Sequence, residues 1–143
     1  MATESGALCY VETSGLLSAL FEQDPAAKRA LRIATHRVTS ALTFAEANRA
    51  VVRALRTSRM TADQARMVAQ ALQTFAKRCR VVAVTEDVLA RVGRPFLVEP
   101  IRTLDAIHLA TLELLGGPPA LLTVLTRDDR LRTNALAAGY AVV

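Results

Sequence analysis

Four acids in this chain sit where a carboxylate could do chemistry and not merely solvate a surface. Glu12 closes the apolar run Ala7-Leu8-Cys9-Tyr10-Val11, and Glu46 ends the stretch Leu42-Thr43-Phe44-Ala45-Glu46. Asp105 opens an otherwise apolar segment, Ile101-Arg102-Thr103-Leu104-Asp105-Ala106-Ile107-His108-Leu109-Ala110. Asp128 follows the apolar run Leu121-Leu122-Thr123-Val124-Leu125. A charge placed directly after a buried strand needs a partner, which singles out Glu12. Four like charges drawn together either take up protons or bind a cation. An all-oxygen donor set suits Mg²⁺ or Mn²⁺ over zinc or copper, and no cluster of His or Cys competes.

Each acid also has a structural use, and these alternatives stand beside the chemical ones. Thr43-x-x-Glu46 fits a capping box, and Asp128 or Asp129 fits a helix N-cap. Asp105, behind a Thr103 cap, faces the positive end of a helix dipole. His108 lies three residues after Asp105 on roughly the same face; it is either a packing histidine or a neighbour of the site. Arg49, Arg53 and Arg56 share with Glu46 a helical arc of roughly 80°. That stripe is either a solvated face or a track for a phosphodiester backbone.

The elements that must position these residues alternate between short apolar runs and helical patterns. Strands are expected at 7–11, 37–40, 81–84, 121–125 and 140–143. Helices are expected at 15–21, at 25–36 behind Asp24-Pro25, and from the Thr43 box to about Arg56. Further helices follow the Thr61-x-x-Gln64 box to about Lys77, run from Thr85 to Arg91, span the Asp105 segment to Gly116, and run from Asp128 or Asp129 to Gly139. Leu104, Ile107, Leu109 and Leu112 read as buried. Strand–helix alternation predicts an α/β domain with a mainly parallel sheet, whose strand carboxyl ends and following helix starts share one edge. The four acids fall at that edge.

Composition bounds the rest. The 143 residues, 52% of them hydrophobic, suit one domain over 1–143 with a full core. No apolar run approaches the ~20 residues of a membrane span, so no membrane partner is expected. No Lys or Arg precedes Lys28, which leaves no basic start for an export signal and implies the cytoplasm. Cys9 and Cys79 read as reduced, buried thiols. A net charge of +5 fits a polyanionic partner, although an overall preference for Arg over Lys would give the same balance. Aromatics are 4% with no Trp, so base stacking contributes little to any such contact.

Together the motifs carry a resemblance. The chain resembles the PIN-domain ribonucleases, specifically the VapC-type toxins of bacterial toxin–antitoxin pairs. Tyr10-Val11-Glu12-Thr13-Ser14, Leu42-Thr43-Phe44-Ala45-Glu46, Arg102 to Ala110, and Leu125-Thr126-Arg127-Asp128-Asp129-Arg130-Leu131 carry it, in the family's order. The resemblance implies a three-layer α/β/α sandwich around a five-stranded parallel sheet. It also implies Mg²⁺- or Mn²⁺-dependent endonuclease action on structured RNA, a homodimer, and inhibition by a small antitoxin.

By position, the family's metal-binding acids fall on Glu12, Glu46, Asp105 and Asp128. Glu46 and Asp105 are the expected catalytic pair, with Glu46 orienting or deprotonating a water. Thr13, Ser14 and Thr126 would support the ligands from behind, and Arg49 and Arg53 would hold the RNA backbone. Glu12 departs from the family, whose first acid is normally Asp. The extra methylene moves the carboxylate by roughly 1 Å, a displacement that can cost about a hundredfold in rate. Two alternatives follow: a catalytically weak PIN domain that binds RNA or protein, or a PIN nuclease of ribosomal RNA processing without an antitoxin. Val51, Val52, Leu55, Met67, Val68 and Leu72 form either an antitoxin groove or core.

Overall fold

A computed structural model describes residues 7–143. Five strands form one sheet in the order β3-β2-β1-β4-β5, every neighbouring pair parallel. They are β1 (Leu8–Val11), β2 (His36–Ser40), β3 (Arg80–Val82), β4 (Leu122–Leu125) and β5 (Ala141–Val142). Seven α-helices connect them: α1 (Thr13–Leu20), α2 (Pro25–Ile33), α3 (Ala41–Arg56), α4 (Ala62–Lys77), α5 (Glu86–Val92), α6 (Thr103–Leu114) and α7 (Asp129–Ala137).

Alternation along the central strands builds two cores, one on each sheet face. Cys9, Val11 and Leu125 pack with α1 to α4, against Leu16, Ala47, Val68 and Leu72. Tyr10, Leu122 and Val124 pack with α5 to α7, against Val88, Ala106, Leu112 and Leu131. This is the expected three-layer sandwich. No helix among the described residues is long and apolar enough to cross a membrane.

Local caps set most helix starts as expected. The Asp24 carboxylate accepts from the Ala26 and Ala27 amides, with Pro25 in the first position. Thr61 and Gln64 close a capping box, and Thr85 and Asp128 accept from Val88 and Leu131.

Other boundaries differ. The Thr43–Glu46 box does not form. Ser40, at the end of β2, caps α3 through the Leu42 amide, so the helix starts with no intervening loop. Thr43 is instead buried, accepting from the Thr39 hydroxyl at 2.8 Å, and Glu46 is released from capping. Thr103 is the first helical residue of α6, with Arg102 at the N-cap position and no side-chain cap. Helix α2 stops at Ile33, because the Thr35 and His36 amides bond Ala7 O and draw that segment into the sheet. Leu104 is 47% exposed, on the rim of a cleft and outside the core.

Chain order reverses between β1 and β4: β2 and β3 extend one way from β1, while β4 and β5 extend the other. Such a switch point opens a crevice at the strand carboxyl ends. Gly15 lets α1 approach that crevice. A Cβ there would lie 2.6 Å from Leu125 O and 2.7 Å from Leu125 Cγ, with no room for either to give. The close approach sets Ser14 beside Thr126, their hydroxyls 3.2 Å apart. Gly15→Ala is therefore expected to destabilise the protein by about 1–3 kcal/mol, the usual range for overpacking. Thermal unfolding reads this directly, and an unchanged Tm would contradict the contact.

Candidate active site

The crevice is a cleft of about 530 Å³ lined by all four acids, Glu12, Glu46, Asp105 and Asp128, with Thr13, Ser14, Arg49 and Arg53 around them. Arg56 is not among its lining residues, so the Arg stripe meets the cleft only through its first two members. Asp128 and not Asp129 faces the cleft, because Asp129 has already entered α7.

The acids differ in how they are held. Glu12 is buried, and its Oε2 accepts from the Ser14 hydroxyl and, at 2.7 Å, from the Thr126 hydroxyl. Ser14 and Thr126 in turn accept the Arg127 and Asp128 amides at 2.7 and 3.0 Å. Glu46 Oε1 accepts from Thr13 at 2.7 Å and contacts His108 Nε2 at 2.6 Å. Asp128 Oδ1 accepts the Leu131 amide at 2.9 Å while capping α7. Asp105 has no protein donor among the described residues. Three acids are thus each tied through one oxygen, and the fourth is untied.

The electrostatics follow from this. Burial raises the Asp105 carboxyl above its usual range, and the fields of Asp128, Glu12 and Glu46 raise it further against a smaller opposing effect of His108. Burial also works against the charge of Glu46. The His108 and Thr13 hydrogen bonds outweigh it and hold that carboxyl below its usual range. Tyr10 is pushed well up, by burial first and then by Glu12 and Glu46. The site is therefore crowded with negative charge.

The donor set fits a hard divalent ion. Four carboxylates line one cleft, and hydroxyls bind one oxygen of each glutamate. Ligand atoms of Glu12, Glu46 and His108 lie within 4.8 Å of one another. His108 is 1% exposed, so it is both a packed core residue and a partner of the site. Its three-residue offset from Asp105 was the available signal. The Tyr10 hydroxyl, 2.8 Å from His108 Nδ1, carried no signal in the sequence.

Arg127 was likewise illegible. Its guanidinium meets Asp24 Oδ2 at 3.1 and 2.7 Å, tying the start of α2 to the turn that bears Thr126 and Asp128. That ion pair holds the Asp24 carboxyl down to about 2. On the other flank, the buried Asn134 amide pairs with both the N–H and the C=O of Val98, at 2.9 and 2.8 Å, and fixes the connector leading into α6.

Fold and cleft together are those of the PIN domain family, to which this chain belongs: residues 9–136 match it. Its relatives include Ribonuclease VapC46 of Mycobacterium tuberculosis, 33% identical over 139 residues, covering 96% of this chain and 97% of that protein. Among solved structures, M. tuberculosis VapC20, described as a sarcin-ricin loop cleaving toxin, aligns with a TM-score of 0.66 at 22% identity, covering 93% of this chain and 96% of that one. A toxin–antitoxin complex from Klebsiella pneumoniae gives 0.60 at 22% identity, covering 94% and 95%.

The raised Asp105 carboxyl has a consequence for stability. The folded state holds its proton more tightly than the unfolded state does. Stability is therefore lost as pH rises from the ordinary aspartate range through the raised folded value. With chelator present, Asp105→Asn is expected to raise Tm at pH ~7, and the gain should shrink toward pH ~4, where the wild-type side chain is itself neutralised. A variant no more stable than wild type at neutral pH would contradict the charge crowding.

Proposed function

We propose that this chain is a divalent-metal-dependent endoribonuclease of the VapC type, cutting RNA at the four-carboxylate cleft. The observation that carries it is the cleft itself, lined by three anchored acids and one unanchored acid at the sheet's switch point. The ribonuclease name of a relative 33% identical over 139 residues supports the RNA substrate.

Glu12, Glu46, Asp105 and Asp128 would hold Mg²⁺ or Mn²⁺. When bound, the ion would lower the pKa of a water and stabilise charge on the phosphoryl oxygens. Thr13, Ser14 and Thr126 keep the two glutamates in place. Glu46, held by Thr13 and His108, would orient or deprotonate the attacking water. Arg49 and Arg53 bind the RNA backbone along α3.

The partners follow the VapC pattern: a cognate antitoxin, a homodimer, and a cytoplasmic setting for one domain. Val68 and Leu72 are spent in the core, and Val51 packs against it. Val52, Leu55 and Met67 are exposed and remain the candidate contact surface on α3 and α4. A PIN nuclease of ribosomal RNA processing would share the cleft but need no antitoxin.

The other alternative is a catalytically weak domain, suggested by Glu12 in the place of the family's Asp. The extra length of Glu12 is taken up by its bonds to Ser14 and Thr126, which favours a working ligand. The test is RNA cleavage against added Mg²⁺ or Mn²⁺. Wild type is expected to cut only with metal. Asp105→Asn should lose about a hundredfold or more, and Glu12→Asp should cut more slowly by breaking those bonds. Unchanged cleavage by Asp105→Asn would refute the site, and a large gain from Glu12→Asp would favour the weak domain.

A further inference from the structure

We propose that His108, backed by Tyr10, is a positioning pair that fixes the Glu46 carboxylate and leaves its Oε2 as the working oxygen. The proposal rests on the metal-site assignment of the cleft for its purpose, and on hydrogen-bond geometry for its substance.

An ionised carboxylate only accepts, so the 2.6 Å contact between Glu46 Oε1 and His108 Nε2 requires the hydrogen on Nε2. In the neutral imidazole Nδ1 is then an acceptor, and the Tyr10 hydroxyl, 2.8 Å away, must donate to it. Tyr10 is 0% exposed and His108 1%. The phenol packs edge-on to the imidazole at 77°. The carboxylate thereby selects one tautomer, the Tyr10 hydroxyl completes it by donating to Nδ1, and a single N–H points at Glu46.

Thr13 gives Oε1 its second donor, at 2.7 Å. Oε1 is saturated, and Oε2 has no protein donor among the described residues. The pair also joins the elements that carry the acids. Tyr10 lies on β1 two residues before Glu12, and His108 lies on α6 three residues after Asp105. A shift of β1 or α6 would therefore move Glu46 with it.

The same contacts argue against His108 as a metal ligand. Its Nε2 lies close enough to Glu12 and Glu46 to share an ion with them. Both ring nitrogens are already engaged, and ligation would break the bond to Glu46 or the bond to Tyr10.

Two measurements test the pair. In metal-free protein, ¹⁵N shifts of the histidine ring are expected to show His108 as the Nε2–H tautomer with Nδ1 accepting, and Tyr10→Phe should keep that tautomer while its Nδ1 resonance moves downfield as the hydrogen bond is lost. Calorimetric Mn²⁺ titration should find His108→Leu weaker than wild type by about 10–100-fold, as for loss of a group that orients a ligand. His108→Gln, whose amide can still donate toward Glu46, should recover most of that loss. Unfolding curves establish that each variant is folded; should neither His108 variant fold, Tyr10→Phe is read in both measurements, with weaker Mn²⁺ binding expected.

An Nδ1–H ring in wild type overturns the proposal, as does Mn²⁺ binding unchanged in His108→Leu. Equal losses in His108→Leu and His108→Gln would make His108 a ligand and overturn it too. If wild type binds no Mn²⁺, the metal-site assignment fails, while the tautomer still decides whether the pair exists.

Discussion

Like charge held in a small space is the constraint from which the rest of this structure follows. The parallel sheet delivers Glu12 from the end of β1 and Asp128 from the turn after β4. Helices α3 and α6 deliver Glu46 and Asp105 to the same edge. Four acids and two arginines, Arg49 and Arg53, line that cleft, so the acids outnumber the bases. Hydroxyls, an amide and one imidazole bind one oxygen of each of three acids, and burial and its neighbours' charge raise the carboxyl of the fourth, Asp105. A site arranged in this way trades stability of the empty protein for affinity toward a divalent ion.

The surrounding fold is spent on holding that arrangement. Gly15 brings α1 against the end of β4, so that Ser14 and Thr126 reach one carboxylate together. Ser40 starts α3 with no loop after β2, which fixes where Glu46 falls on the second turn. Arg127 ties the turn of Asp128 to the cap of α2, and Asn134 ties down the chain entering α6. Each acid is therefore positioned by at least one contact between elements distant in sequence, and removing such a contact would move the acid without touching its chemistry.

Much of this was legible in the residue order, and the limits of legibility have a physical origin. Strands β1 and β4 and the caps at Asp24, Thr61, Thr85 and Asp128 depend on neighbours a few residues away, so the local pattern sufficed. The Thr43–Glu46 box was misread because Ser40, three residues earlier, competes for the same role and wins once β2 ends there. Leu104 has the periodicity of a core residue, but the cleft removes the neighbour it would have packed against. The Tyr10–His108 bond spans 98 positions and the Arg127–Asp24 pair 103, separations at which spacing carries no information. Convergence of the four acids could be anticipated only through the topology of a parallel sheet.

Metal-dependent stabilisation measures this balance most directly. Thermal unfolding of the wild-type protein, stripped with chelator and then titrated with Mn²⁺, reports whether the crowded carboxylates gain from a cation. Ligand that binds only the folded state at 100 times its Kd adds about 2.7 kcal/mol, so Tm is expected to climb steadily with Mn²⁺ concentration. A Tm indifferent to Mn²⁺ across that range would contradict the claim that these four side chains form a cation site.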